Sequence, residues 1–127
     1  INTNPISRVT TYEFNALSMP WHLIKSPASE DIFIVLRGDY GEGGVVRLSY
    51  NEEAFTFKWE YRNAVFDTFH GITIDENGQY IYVTSAGENK LYQFSASNGT
   101  LIDDVQLGSM SNPGGLSIMQ SICTECE

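Results

Sequence analysis

Among the 127 residues, His22, His70 and the pair Cys123 and Cys126 are the side chains best suited to bind a metal or carry a redox step. A neutral imidazole nitrogen is a good ligand for transition metals, and two histidines brought together could contribute to one centre, with Asp75 as a nearby carboxylate. The cysteines form a lone C-x-x-C. Haem attachment through that motif needs a histidine at 127, where the chain has Glu127, and a zinc ribbon needs a second pair. A small-loop disulfide, free thiols, or half of a site completed elsewhere remain, and an oxidising compartment favours the disulfide.

Other stretches carry chemistry with a simpler explanation. Asp75-Glu76-Asn77-Gly78 has the flavour of a calcium loop, but its next ligand position is Gln79 and a strand begins at once, so a hairpin turn explains it. Asn98-Gly99-Thr100 matches a glycosylation sequon, and Asn-Gly is also a preferred turn. Trp21, Trp59 and Tyr40 could stack on sugars or peptides. Tyr40 stands apart because it lies in a glycine-rich stretch with no counterpart elsewhere, which makes Asp39, Tyr40 and Glu42 the candidate ligand-recognition loop. No nucleophile elbow, phosphate loop or catalytic triad pattern appears, so no catalytic residue is assigned and no cofactor is expected.

Composition removes several classes. Sixteen acidic against seven basic residues give a net charge of −9, and the basic residues are scattered. That disfavours nucleic acid and anionic membrane surfaces as partners. No apolar run approaches the roughly 20 residues that cross a bilayer as a helix. The chain begins at Ile1 without a signal peptide, so it is expected to be a processed or excised product.

The elements that must position these residues are strands. Period-two alternation runs throughout, and no window holds a helical period. The strand-like runs are Val9–Phe14, Leu23–Lys25, Asp31–Arg37, Val45–Tyr50, Phe55–Tyr61, Ile72–Asp75, Tyr80–Ser85, Lys90–Ser95 and Leu101–Leu107. Within Phe55–Tyr61, alternation places Phe55, Phe57, Trp59 and Tyr61 on one face and Thr56, Lys58 and Glu60 on the other.

These runs repeat. A shift of 49 residues lays Leu23 on Ile72, Ile32 on Ile81, Phe33 on Tyr82 and Ile34 on Val83, and the shift falls to 46 beyond the glycine-rich insertion. Trp21 falls on His70 and His22 on Gly71. A third copy starts at Pro113-Gly114-Gly115-Leu116-Ser117-Ile118. Units of this length with four strands each are the size of β-propeller blades. The expected fold is therefore all-β, with four-stranded antiparallel blades of an incomplete propeller. Strand d of one blade covers 7–14, full blades cover 20–61 and 69–107, strand a of another covers 113–119, and a tail covers 120–127.

The segment from His70 through Thr84, followed by Asn89-Lys90-Leu91-Tyr92-Gln93-Phe94 and Asn98-Gly99-Thr100, resembles the YVTN- and NHL-type propeller repeats. The likeness is close from His70 to Gly115 and recognisable from Pro20 to Ser49, and it departs from the pattern at Phe69, where the repeat has proline. The resemblance implies a propeller and an extracytoplasmic setting, whether secreted, periplasmic or at the cell surface. It names no ligand, because folds host many functions.

In that frame His22 and His70 sit at the a strands, which line the channel, where they serve either a metal or backbone support. The leading expectation is a non-enzymatic module that binds a protein, small molecule or glycan, completed by the rest of the propeller or by another chain covering its sheet edges. The alternatives are a propeller enzyme with a channel-mouth site using His70, and a carbohydrate-binding lectin whose short chains assemble into a ring.

Overall fold

The computed structural model describes residues 11–14, 18–37, 43–51, 54–63, 69–86 and 88–107. Eight strands form two antiparallel meanders. The first holds β1 (Pro20–Lys25), β2 (Ile32–Leu36), β3 (Gly43–Tyr50) and β4 (Phe55–Asn63). The second holds β5 (Phe69–Ile74), β6 (Tyr80–Ser85), β7 (Lys90–Ser95) and β8 (Leu101–Gln106). In both sheets the spatial order follows the chain order, as in a propeller blade.

The turns explain the meanders. The Ser26 amide donates to the Asp31 carbonyl at 2.9 Å, and the Asp75 amide donates to the Tyr80 carbonyl at 3.1 Å, closing equivalent hairpins. Gly78 and Gly99 adopt φ of +71° and +75°, which the absence of a Cβ makes inexpensive. The Asp75 carboxylate is consumed locally, accepting from the Gln79 and Tyr80 amides at 2.7 and 3.1 Å. The sequence repeat is thus a structural one. Leu23 opposite Ile34 recurs as Ile72 opposite Val83, and Ile34 opposite Val46 recurs as Val83 opposite Tyr92. Even the register breaks recur, between Pro20 and His22 and again between Phe69 and Ile72.

The core lies between the sheets. Phe33, Val35, Val45 and Trp59 of the first sheet pack on Phe69, Ile72, Ile81, Val83, Tyr92 and Phe94 of the second. These two faces are not equivalent: Phe33 corresponds to Tyr82, which lies on the far side of the second sheet. The sheets therefore stack head to tail, a heterologous arrangement that leaves one unlike outer face on each. On the first sheet that face holds Ile34, Leu36, Val46 and Leu48, with Phe14, Ile32 and Phe55 packed against it. Leu23, at this face, is 57% exposed, while its counterpart Ile72 is 1% exposed inside the seam.

Three expectations need correction. Lys58 is an extra residue in β4, because Phe57 pairs with Leu48 and Trp59 with Arg47. This bulge reverses the alternation, so Phe55 packs on the outer cluster and Phe57 is exposed, while Trp59 and Tyr61 point into the seam. The four aromatics do not share a face. Strands β1 and β5 also start earlier than Leu23 and Ile72, since their register breaks interrupt the period-two pattern. Finally, Thr11–Phe14, the described end of the expected strand Val9–Phe14, is irregular backbone. The third blade of that layout, at 113–119, lies outside the described residues.

Candidate functional site

Strands β1 and β5 are the first strands of their sheets, packed beside each other at the seam. Where β1 begins, Met19 takes φ of +50°, although it is a bulky residue that precedes a proline. Its carbonyl accepts the Arg37 amide at 3.0 Å, which holds the strained turn in place. The register break that follows turns Trp21 outward, in the way that bulges redirect side chains at functional sites.

Trp21 is 52% exposed, an unusual condition for an indole. Its ring is nonetheless fixed. The Arg37 guanidinium lies 4.8 Å from the ring centroid, and the His70 imidazole centroid lies 5.9 Å away at a 48° tilt. A guanidinium over an indole contributes about 0.5–2 kcal/mol. Pro20, Trp21, His22, Leu23 and Ile34 line a shallow pocket of about 260 Å³ beside this cluster. An aromatic plate with donor groups around it suits recognition of a ligand rather than proton transfer.

Of the two candidate histidines, His70 lies against Trp21, the residue equivalent to it in the repeat, and His22 is exposed on β1. Among the described residues no three His, Cys, Asp or Glu side chains converge. Asp39, Tyr40, Glu42, Cys123 and Cys126 lie outside the described residues. Sequence reasoning missed Arg37 and the strain at Met19. The Trp21-on-His70 alignment was the available signal for the ring pair, whereas nothing local marks Arg37.

Two further clusters are structural. The Tyr92 hydroxyl donates to the Glu88 carboxylate at 2.5 Å. Burial pushes the Tyr92 hydroxyl pKa far up, aided by that hydrogen bond and by the Glu88 charge. Tyr61 moves the same way, through burial and then the charges of Glu88 and Asp104. Both phenols therefore keep their protons at neutral pH, and the Tyr92 hydroxyl acts as a donor. At the other end of the seam, Trp59 Nε1 and Arg47 Nη1 both donate to the Ala96 carbonyl, at 2.9 and 2.7 Å, while Arg47 also pairs with Asp31. A polar pocket of about 450 Å³ lies there, lined by Arg47, Gly78, Gln79, Tyr80, Ser95 and Ser97.

No protein-family profile and no curated protein matches the chain. Solved structures do. Hydrazine synthase of Kuenenia stuttgartiensis superposes with a TM-score of 0.62 at 19% identity, over 85% of this chain and 28% of that one. The β-propeller domain of Cps50 (Swd1) from Myceliophteria thermophila gives 0.60 at 10% identity, over 76% and 30%. BamB from Moraxella catarrhalis gives 0.52 at 17% identity, over 80% and 30%. The fold is that of β-propeller blades, and the chain spans under a third of each of these proteins. Among the described residues no helix is long and apolar enough to cross a membrane.

Proposed function

We propose that these residues belong to a non-enzymatic, extracytoplasmic β-propeller module of the YVTN/NHL kind that binds a protein, small-molecule or glycan ligand at the inner-strand edge. The observation that carries this reading is Trp21, half exposed yet clamped by Arg37 and His70, beside a strained turn. A rigid exposed indole loses little entropy when a ligand stacks on it, which is why such residues dominate recognition surfaces. Asp39, Tyr40 and Glu42 follow Arg37 closely in the chain and supply hydrogen-bonding groups for the same ligand. The extracytoplasmic setting rests on the repeat resemblance. Further blades, from the same or another chain, complete the ring.

Glycan and peptide arrays probed with the wild type and with Trp21→Ala test the reading. Binding that disappears in Trp21→Ala, at an unchanged unfolding midpoint, supports it, and binding that survives the substitution contradicts it.

A second reading, part of a propeller enzyme, draws on the placement of His70 at the same edge. Elemental analysis by plasma mass spectrometry separates the two. Stoichiometric metal that is lost in His70→Ala would favour the enzyme.

A further inference from the structure

The outer face of the second sheet does not copy the face that the first sheet uses for docking. At matching register positions, Phe33, Val35, Arg47 and Trp59 of the first sheet are replaced by Tyr82, Thr84, Gln93 and Asp103. In the first seam, Trp59 and Arg47 offer N–H donors to a backbone carbonyl of the next sheet. At the second sheet the same place offers a carboxylate, which can only accept. Gln93 Nε2 already donates to the Tyr82 hydroxyl at 3.4 Å, so the face carries a neutral hydrogen-bonded pair where the first sets the Arg47 guanidinium over the Phe33 ring. Asp103 accepts the Asp104 amide at 2.8 Å, and among the described residues no cation pairs with it. Val105, which matches the seam-facing Tyr61, is 53% exposed.

We infer that this face receives the following propeller sheet through a hydrogen-bonded seam, in which that sheet places a basic side chain against Asp103. The occupant is argued from continuity with the seam already present and from charge. A carboxylate enclosed by a docked sheet is tolerated only when a donor or cation meets it. A carbonyl at the position of Ala96, as in the first seam, would face Asp103 with two acceptors and no proton. The two seams of one ring are thus chemically distinct, which fixes the order in which its sheets can stack.

This inference rests on the head-to-tail reading of the fold, and two measurements on the propeller that contains these residues let them fail separately. A Val105→Cys thiol, followed by mass spectrometry of its own peptide, should react with maleimide at least about 100-fold more slowly there than in this chain alone. That factor is the protection of a face enclosed by about 2.7 kcal/mol of docking free energy. Equal rates would mean that no sheet covers the face, and the head-to-tail reading falls. Where protection is found, Asp103→Lys should lower the unfolding midpoint by roughly 10 °C, the effect of inverting one partner of an enclosed ion pair, and Asp103→Leu should lower it as well. An unchanged or raised midpoint in Asp103→Leu would reveal an apolar seam and overturn the inference while leaving the fold reading intact.

Discussion

Trp59 of the first sheet donates its indole N–H to the Ala96 carbonyl of the second at 2.9 Å, and the Arg47 guanidinium shares that carbonyl. One backbone acceptor therefore ties two sheets together, and the indole also contributes apolar area to the seam. Trp59→Phe keeps most of that area and removes the donor. It should destabilise the chain by about 1–2 kcal/mol, the usual effect of leaving a buried acceptor short of a partner. Trp59→Ala should destabilise by about 3–5 kcal/mol. Urea unfolding followed by circular dichroism checks both values, and an unchanged stability in Trp59→Phe would mean that the hydrogen bond contributes nothing.

Gly99 lies flat beneath that indole. A Cβ built on it would fall 2.4 Å from Trp59 Cε3, and its φ is +75°. Gly78 shares the left-handed conformation, but its Cβ would meet Ala28 Cβ only at 3.0 Å. Gly99→Ala should therefore destabilise by about 2–4 kcal/mol and Gly78→Ala by about 1–2 kcal/mol. Thermal unfolding of the two variants gives the order, and the reverse order would displace Gly99 from the seam.

Arg47 pairs with Asp31, whose side chain is largely buried. Arg47→Leu leaves that carboxylate enclosed without its cation and should destabilise by about 3–5 kcal/mol. The Arg47→Leu and Asp31→Leu double variant should recover part of the loss. A double-mutant cycle by chemical denaturation measures the coupling, and additive losses would show that the pair does not interact.

Tyr92 adds a dependence at alkaline pH. Burial first, then Glu88, raises its hydroxyl pKa in the folded chain above the ordinary value near 10. Above about pH 10 the unfolded chain releases this proton and the folded chain keeps it, so the folded state binds more protons there. Stability is therefore fully present below pH 10 and declines as the pH rises beyond it, with Tyr61 acting in the same direction. Tyr92→Phe should lower stability at pH 7 by about 1 kcal/mol and flatten the alkaline decline. Urea midpoints from pH 7 to 11 check this, and an unchanged alkaline slope would remove Tyr92 from that role.

How much of this was legible in the sequence depended on whether the signal was local. Tyr80-Ile81-Tyr82-Val83 between Asn77-Gly78 and the Gly87 turn announces a buried strand and its hairpin, and the 49-residue shift announces the second sheet. Lys58 was hidden, because a bulge adds one residue without changing composition, and it sends Phe57 and Trp59 to opposite faces. The Ala96 carbonyl was also hidden, since a backbone acceptor has no side chain to mark it. At the candidate site, the match of Trp21 to His70 marked the two rings as equivalent positions, but nothing local marked them as neighbours. Arg37 could not be anticipated, because its counterpart in the second sheet is Ala86 and the repeat assigns it no partner.

Leu23 and Ile72 occupy the same position in two successive sheets, one exposed at the outer face of the first and one inside the seam. Truncating each to alanine and measuring the change in unfolding free energy of this chain is the most direct test of head-to-tail blade stacking. Ile72→Ala should destabilise by about 2–5 kcal/mol and Leu23→Ala by less than about 1 kcal/mol. If Leu23→Ala destabilises as much as Ile72→Ala, the two faces are equally buried and the stacking described here is wrong.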